Sequence, residues 1–223
     1  EDGNTEQAIG ELVDLDSFYT FWAMEGLLGL WDGYSGNKNN FFIYLNPDTN
    51  KFHFLPWGAD TGFNGSKPDE LISVKTQGLI AHKLYQLESS RERYAKTIME
   101  IIEKHWNEEE LLAETNRIEA MVKPHLVQSQ IFSNEKKQKS EDTFAGSLDK
   151  ARKFICQRRS DITQETANGM PERKKSPGKL LTIAPNKIGT FSLGCVIGGC
   201  VGCITGVALN LTTVLASWII GLF

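Results

Sequence analysis

Positions at helical spacing mark the first clear element of the chain. In the segment DLDSFYTFWAMEGLLGLW, residues 14–31, the pattern advances in steps of three and four through Leu15, Phe18, Phe21 or Trp22, Glu25 and Leu28. Such steps are typical of a helix with one face turned to a core, and Gly29 follows where a helix would end. We therefore predict an amphipathic helix from Leu15 to about Gly29.

Two short runs rich in aromatic and β-branched residues come next. They are NNFFIYL, residues 39–45, and KFHFLPW, residues 51–57, and the segment NPDTN lies between them. Runs of this kind favour strands, whereas Asn, Pro and Asp favour turns. We predict a β-hairpin. Because large side chains alternate along the predicted strands, we expect the core to contain Trp31, Trp57, Tyr44 and the phenylalanines.

Helical patterns then occupy the middle of the chain. From Leu84 onward, steps of three and four predict a long helix with one buried stripe formed by Leu87, Tyr94, Ile98 and Ile101. Asn107 followed by Glu110 has the form of a capping box. A second helix should begin there and run to about Val122, because Pro124 disfavours its continuation.

A third helical pattern is the segment SLDKARKFICQRRSDI, residues 147–162. Apolar residues lie on one side of this predicted helix, and a band of arginines and lysines lies on the other. We expect that band to be a solvated face.

The chain ends in a long apolar segment. Pro, Gly, Ser and Lys dominate residues 169–187, as in a linker, and residues 188–223 carry no charge. This run exceeds the roughly 20 residues that cross a bilayer, so we predict a membrane-embedded tail. A buried core helix is the alternative. Basic residues before the run favour the cytoplasmic side, and a cleaved lipid-anchor signal is a second interpretation.

These elements together predict an α+β fold that is mainly helical, with a short β-hairpin and a C-terminal transmembrane helix. We divide the chain into a domain over residues 1–165, a linker over residues 166–187 and the apolar tail over residues 188–223. With 223 residues, 40% of them hydrophobic, the chain can bury a core. Because it starts with Glu1, we expect a fragment or a processed product.

Composition excludes several kinds of function. A net charge of −4 offers no basic surface for a phosphate backbone, so nucleic-acid binding is not expected. Cys200 and Cys203 form a Cys-x-x-Cys pair, but a second ligand pair of suitable spacing is missing from the sequence, and a zinc site is not predicted. The four histidines form no local cluster either.

Candidate chemistry is concentrated around the predicted hairpin. Asp32 follows the first helix, Asn37, Asn39 and Asn40 come within eight residues of it, and Asp60 follows the hairpin. Phosphoryl transfer needs one carboxylate to orient the attacking hydroxyl, and it needs oxygen ligands for magnesium. This order of an acid, amides and a second acid matches that need. Asn-rich loops are also common as plain turns.

The same stretch resembles the CotH kinase family, the spore-coat protein H-like atypical protein kinases. Three motifs carry the resemblance: Trp31-Asp32-Gly33-Tyr34, then Asn39-Asn40 with Tyr44, and then Pro56-Trp57-Gly58-Ala59-Asp60. It extends, more weakly, through the later helices and covers residues 12–162. The fold it implies is the C-terminal lobe of a protein-kinase-like fold.

The resemblance implies specific roles. Asp32 would be the catalytic aspartate, Asn37 and Asn39 would contact the nucleotide, and Asn40 and Asp60 would hold the metal. The implied cofactors are ATP and magnesium or manganese. The implied substrate is a serine or threonine of another protein, and the implied location is a membrane at the cell surface or its extracellular side.

The sequence departs from the family pattern at Gly58, which stands where the family usually has the first Asp after tryptophan. A glycine has no side-chain oxygen, so metal affinity and activity would be reduced. The short stretch before Leu12 leaves no room for a nucleotide-covering lobe, so we expect the chain alone to be inactive. The alternatives are a non-catalytic surface or spore-coat protein on a degenerate kinase fold, and a head domain whose tail is the functional part.

Overall fold

A computed structural model describes residues 2–63, 65, 70–128 and 134–172. In chain order, its elements are α1 (Asp2–Leu12), α2 (Leu15–Leu28), β1 (Phe41–Asn46), β2 (Lys51–Pro56), a 3-10 turn (Ala59–Thr61), α3 (Leu79–Tyr85), α4 (Glu88–His105), α5 (Glu108–Gln128) and α6 (Asn134–Thr166). The described part is mainly helical, with a two-stranded antiparallel hairpin.

Helix α2 lies at the centre of the fold. Asp14 caps its start, where the carboxylate accepts a hydrogen bond from the Ser17 amide at 2.9 Å. Gly29 ends it with a left-handed φ of 65°. The predicted helix is confirmed, but it is buried on all sides rather than on one face, since every residue from 21 to 28 is buried.

The predicted hairpin is also confirmed, with Phe41 opposite Pro56 and Asn46 opposite Lys51. Phe54 packs against Phe18 of α2, with their ring centroids 5.1 Å apart. The expectation that the other aromatic residues lie in the core is wrong: the exposed fraction is 51% for Trp31, 60% for Trp57 and 50% for Tyr44. A two-stranded ribbon has two faces, and α2 covers only part of one.

The long helix predicted from Leu84 is interrupted. Helix α3 ends at Tyr85 and α4 begins at Glu88. Arg91 donates hydrogen bonds to the carbonyls of Tyr85 at 3.0 Å and Gln86 at 3.2 Å. The polar interruption in the apolar pattern therefore satisfies the carbonyls at the end of α3. The buried stripe beyond it is confirmed: Tyr94, Ile98, Ile101 and Ile102.

Helix α5 begins as predicted and ends later. The side-chain oxygen of Asn107 accepts hydrogen bonds from the amides of Glu109 at 3.1 Å and Glu110 at 3.3 Å. The helix continues through Pro124 to Gln128. Pro124 has no amide hydrogen, so the carbonyl of Ala120, four positions earlier, lacks its helical donor. Ala120 is exposed, so water can donate to that carbonyl instead.

Helix α6 contradicts the prediction of a purely solvated basic face. Arg158 is only 2% exposed, and its guanidinium donates to the carbonyls of Gly26, Leu27 and Ile72. Arg152 and Arg159 do lie nearer the surface, where they pair with glutamates of α5. Arg158 therefore joins α6 to the end of α2.

The predicted fold class needs one further correction. Across the ranges that the structure describes, no helix is both long enough and apolar enough to cross a membrane. The predicted transmembrane segment, residues 188–223, lies outside the described residues.

Candidate functional site

The loop after α2 is a compact turn that carries most of the predicted site. The carbonyl of Gly33 accepts hydrogen bonds from the amide of Asn37 at 3.0 Å and from that of Asn39 at 3.3 Å. These bonds bend the chain back on itself within six residues. The side chains that follow Gly33 are therefore brought back beside Asp32, which precedes it.

Three asparagine side chains converge on the Asp32 carboxylate. Asn37 donates to Oδ1 at 2.7 Å. Asn39 and Asn40 donate to Oδ2 at 3.3 Å and 2.7 Å. Hydrogen bonds to an ionised acceptor are stronger than those between neutral groups, so the carboxylate is held in one orientation. Four of the five predicted site residues form a single cluster.

Asn40 connects this cluster to the hairpin. Its φ is 43°, in the left-handed region that asparagine tolerates better than most residues. Its carbonyl accepts a hydrogen bond from the amide of Trp57 at 3.2 Å. The start of β1 and the end of β2 therefore meet at Asn40, next to Asp32.

Gly58 lies directly against Asn40. Its φ is 69°, and a Cβ atom built on it would be 2.8 Å from Nδ2 of Asn40. That nitrogen is the donor to Asp32. The position therefore favours glycine for two reasons. The backbone is left-handed, and any side chain would press on the Asn40 amide.

Asp60 follows in the 3-10 turn Ala59–Thr61 and is exposed. It lies two positions after Gly58, so their Cα atoms are within about 7 Å of each other. Asp60 is thus at the same end of the hairpin as Asn40.

A carboxylate below the loop was missed as a site residue. Glu25 of α2 is 1% exposed. It accepts hydrogen bonds from the amides of Tyr34 and Ser35, both at 2.7 Å, and from the Ser35 hydroxyl at 2.5 Å. Burial raises the pKa of Glu25 to about 7, although its three donors oppose that shift. The signal available in the sequence was that Glu25 is an acid on a predicted helix face whose other residues are apolar.

Comparison with known proteins agrees with the motifs around this cluster. A family model described as CotH kinase protein matches residues 1–162. The chain belongs to the CotH kinase family. Among curated proteins, no match is found. The resemblance drawn from the sequence is confirmed, and the match includes all of the predicted site residues.

Carboxylate and amide oxygens are the candidate ligands for a metal ion at this site. In the described ranges, no three side chains of His, Cys, Asp or Glu come together to hold a metal ion. At the open end of the hairpin, where β1 starts and β2 ends, the hard oxygen atoms belong to Asp32, Asp60 and the asparagines. Because the Asn40 nitrogen is turned to Asp32, its Oδ1 is the atom available for a cation.

Exposed aromatic side chains border the cluster on the side of the hairpin. Trp57 and Phe42 contact each other edge to face, with centroids 5.1 Å apart, and Trp31 is next to Asp32 in the chain. All three are more than half exposed. The polar cluster therefore lies beside an apolar rim.

Proposed function

We propose that Asp32 is the catalytic aspartate of an ATP-dependent phosphotransferase that acts on serine or threonine hydroxyls of proteins. The observation that carries the proposal is the convergence of three asparagine amides on one partly exposed carboxylate. Membership of the CotH kinase family supports the reaction class.

The chemistry follows from this geometry. In phosphoryl transfer, the protein mainly positions the reactants and stabilises charge. Asp32 would accept a hydrogen bond from the acceptor hydroxyl and take its proton as the oxygen bonds to the terminal phosphorus of ATP. The P–O bond to the bridging oxygen would break, and ADP would leave with its electrons. The asparagines keep the carboxylate from rotating, so one oxygen lone pair stays directed at the hydroxyl. Asn37 and Asn39 are exposed and would contact the nucleotide.

The oxygen atoms at the hairpin end fit magnesium in kind. We assign the metal to Oδ1 of Asn40 and the carboxylate of Asp60, since Mg²⁺ prefers hard oxygens and takes its remaining ligands from water and phosphate. A bound magnesium ion would neutralise charge on the phosphates. Gly58 adds no side-chain oxygen, so this set has one carboxylate fewer than the family pattern.

The second candidate function is a non-catalytic surface or coat protein, and Gly58 favours it. Titration calorimetry of the 223-residue chain with ATP separates the two. The kinase proposal predicts ATP binding that requires magnesium or manganese and is weakened by Asp60→Asn. Asp48→Asn is the matched control, because Asp48 lies at the far end of the hairpin. The absence of metal-dependent binding contradicts the kinase proposal and supports the second candidate. A location at the cell surface stays a prediction.

A further inference from the structure

We propose that Glu25 is a positioning residue for Asp32: its buried carboxylate sets the backbone of the loop and, through that backbone, the asparagines that hold Asp32. The importance of this role rests on the proposed function of Asp32. The structural connection itself does not, and it can be tested without catalysis.

The first step is the contact between Glu25 and the loop. Oε1 accepts the Tyr34 amide, while Oε2 accepts the Ser35 amide and hydroxyl. Ser35 is fully buried, so water cannot replace these bonds. A buried carboxylate without such donors would be strongly unfavourable. The Glu25 carboxylate therefore needs the donors of Tyr34 and Ser35, and those buried donors need the carboxylate.

The second step is the close approach at Gly33. A Cβ atom there would lie 2.2 Å from Oε1 of Glu25. Only glycine lets the backbone next to Asp32 lie directly on the carboxylate. The loop therefore packs against the Glu25 carboxylate at Gly33, the residue that follows Asp32.

The third step leads from Gly33 to Asp32. The Gly33 carbonyl accepts the amides of Asn37 and Asn39, and the side chains of those residues donate to Asp32. A shift of the backbone at residues 33–35 would therefore move two of the three donors. Glu25 acts on Asp32 through this series of bonds and does not touch the reacting atoms.

The same chemistry occurs once more in the described residues, away from the loop, and supplies a control. Glu165 of α6 accepts the amides of Ile72 at 2.8 Å and Ser73 at 2.6 Å, and the Ser73 hydroxyl at 2.5 Å. Its bonds hold a different segment of backbone. Glu165→Gln therefore removes an equivalent carboxylate whose hydrogen bonds go to residues 72–73 instead of residues 34–35.

Nuclear magnetic resonance of the ¹⁵N-labelled full chain tests the proposal. In Glu25→Gln, an amide NH₂ group faces one of the former donors. We expect exchange of the Tyr34 and Ser35 amides to become about tenfold faster or more, and we expect the side-chain NH₂ signals of Asn37 and Asn39 to shift. Glu165→Gln should affect Ile72 and Ser73 and leave the asparagine signals in place.

A milder variant covers the case in which Glu25→Gln does not fold. Ser35→Ala removes only the hydroxyl donor, and it should shift the same asparagine signals in the same direction by a smaller amount. Unchanged signals in a folded Glu25→Gln, or in Ser35→Ala when Glu25→Gln is unfolded, would overturn the proposal. Equal shifts in Glu165→Gln would also overturn it, because the effect would then be general destabilisation.

The two proposals fail separately. If the asparagine side-chain signals do not shift, the positioning role is rejected whatever the chain catalyses. If the shifts occur but magnesium-dependent ATP binding is absent, Glu25 still supports the loop and the phosphotransferase proposal is the one rejected. If phosphate transfer is measurable, Glu25→Gln should lower kcat and leave the KM for ATP unchanged, and Glu25→Asp should recover part of the rate.

Discussion

Gly58 determines how closely the end of the hairpin approaches Asn40. Its left-handed backbone and its contact with the Asn40 amide both favour the absence of a side chain. An aspartate at this position would have to displace the group that holds Asp32. The residue that departs from the family pattern is thus accommodated by the geometry around it.

Gly58→Ala is expected to lower stability and to disturb the cluster. A non-glycine residue in the left-handed region loses about 1 to 2 kcal/mol, and the new methyl group pushes the Asn40 side chain away from Asp32. Thermal unfolding and the side-chain NH₂ signal of Asn40 report the two effects. Gly169→Ala is the control, because Gly169 has a φ of 93° with nothing near its Cβ position. An unmoved Asn40 signal in Gly58→Ala would contradict this account.

Glu25 should make stability depend on pH. Burial raises its pKa to about 7 from the ordinary value of 4.5. Between pH 4.5 and pH 7 the folded chain therefore binds more protons than the unfolded chain. The contribution of Glu25 to stability is then fully present below pH 4.5 and is lost as pH rises to about 7. The facing groups are Tyr34, Lys75 and Tyr94, whose own pKa values are shifted by burial.

Urea unfolding at several pH values measures this dependence. The free energy of unfolding should fall between pH 5 and pH 7 by an amount on the order of 2 kcal/mol, and Glu25→Gln should remove that fall. A slope that is the same in Glu25→Gln and in the wild type would show that other groups cause the dependence.

The residues of the site differ in how far sequence could predict them. Asp32, the three asparagines and Gly58 were predicted because they lie close together in the chain and within recognisable motifs. The role of Glu25 was not, because a carboxylate in an apolar helix face shows nothing about which backbone amides will meet it. That information depends on how the loop folds back over α2.

Among the elements, α2 and α6 together position the loop. The carbonyls at the C-terminal end of α2 carry partial negative charge, and Arg158 of α6 donates to those of Gly26 and Leu27. The guanidinium also stacks on Phe154, 4.7 Å from the ring centroid. The end of α2, from which the Asp32 loop departs, is therefore held by a helix more than a hundred residues later.

Arg158→Met should destabilise the fold strongly. It removes the guanidinium donor from three carbonyls, of which, among the described residues, only that of Gly26 keeps another donor, the Gly29 amide at 3.1 Å. Each carbonyl left unsatisfied costs about 1 to 3 kcal/mol, so we expect a loss of about 3 kcal/mol or more in urea unfolding. Arg152→Met removes a partly exposed ion pair with Glu119 and should cost about 1 kcal/mol or less. Equal losses in the two variants would contradict the assigned role of Arg158.

Element types were easier to predict than element environments. The starts of α2 and α5 and both strands were predicted because caps and turn residues act locally. Burial was not: the sequence pattern alone placed Arg158 in solvent and Trp57 in the core, and the structure has the reverse. Which face of an element is covered depends on partners that are distant in the chain.

The whole described molecule is a helical body around α2 with the hairpin at one side. The family match ends at residue 162, but the structure continues to make contacts beyond it. Glu165 binds the segment at residues 72–73, and the Tyr85 hydroxyl donates to the carbonyl of Pro171 at 2.6 Å. The division of the chain at residue 165 stays a prediction, and the described body extends to at least Pro171.

The central claim is that Asp32 is the catalytic carboxylate. The most direct test is the rate of transfer of labelled phosphate from ATP to casein by the full chain, with magnesium, in the wild type, Asp32→Asn and Asp48→Asn. General-base catalysis contributes about 100-fold or more. We predict a loss of that size in Asp32→Asn, which should remain folded, and we predict an unchanged rate in Asp48→Asn. A wild-type rate in folded Asp32→Asn would contradict the claim. No transfer by the wild type would agree with the expectation that this chain alone is inactive, and it would support the non-catalytic candidate.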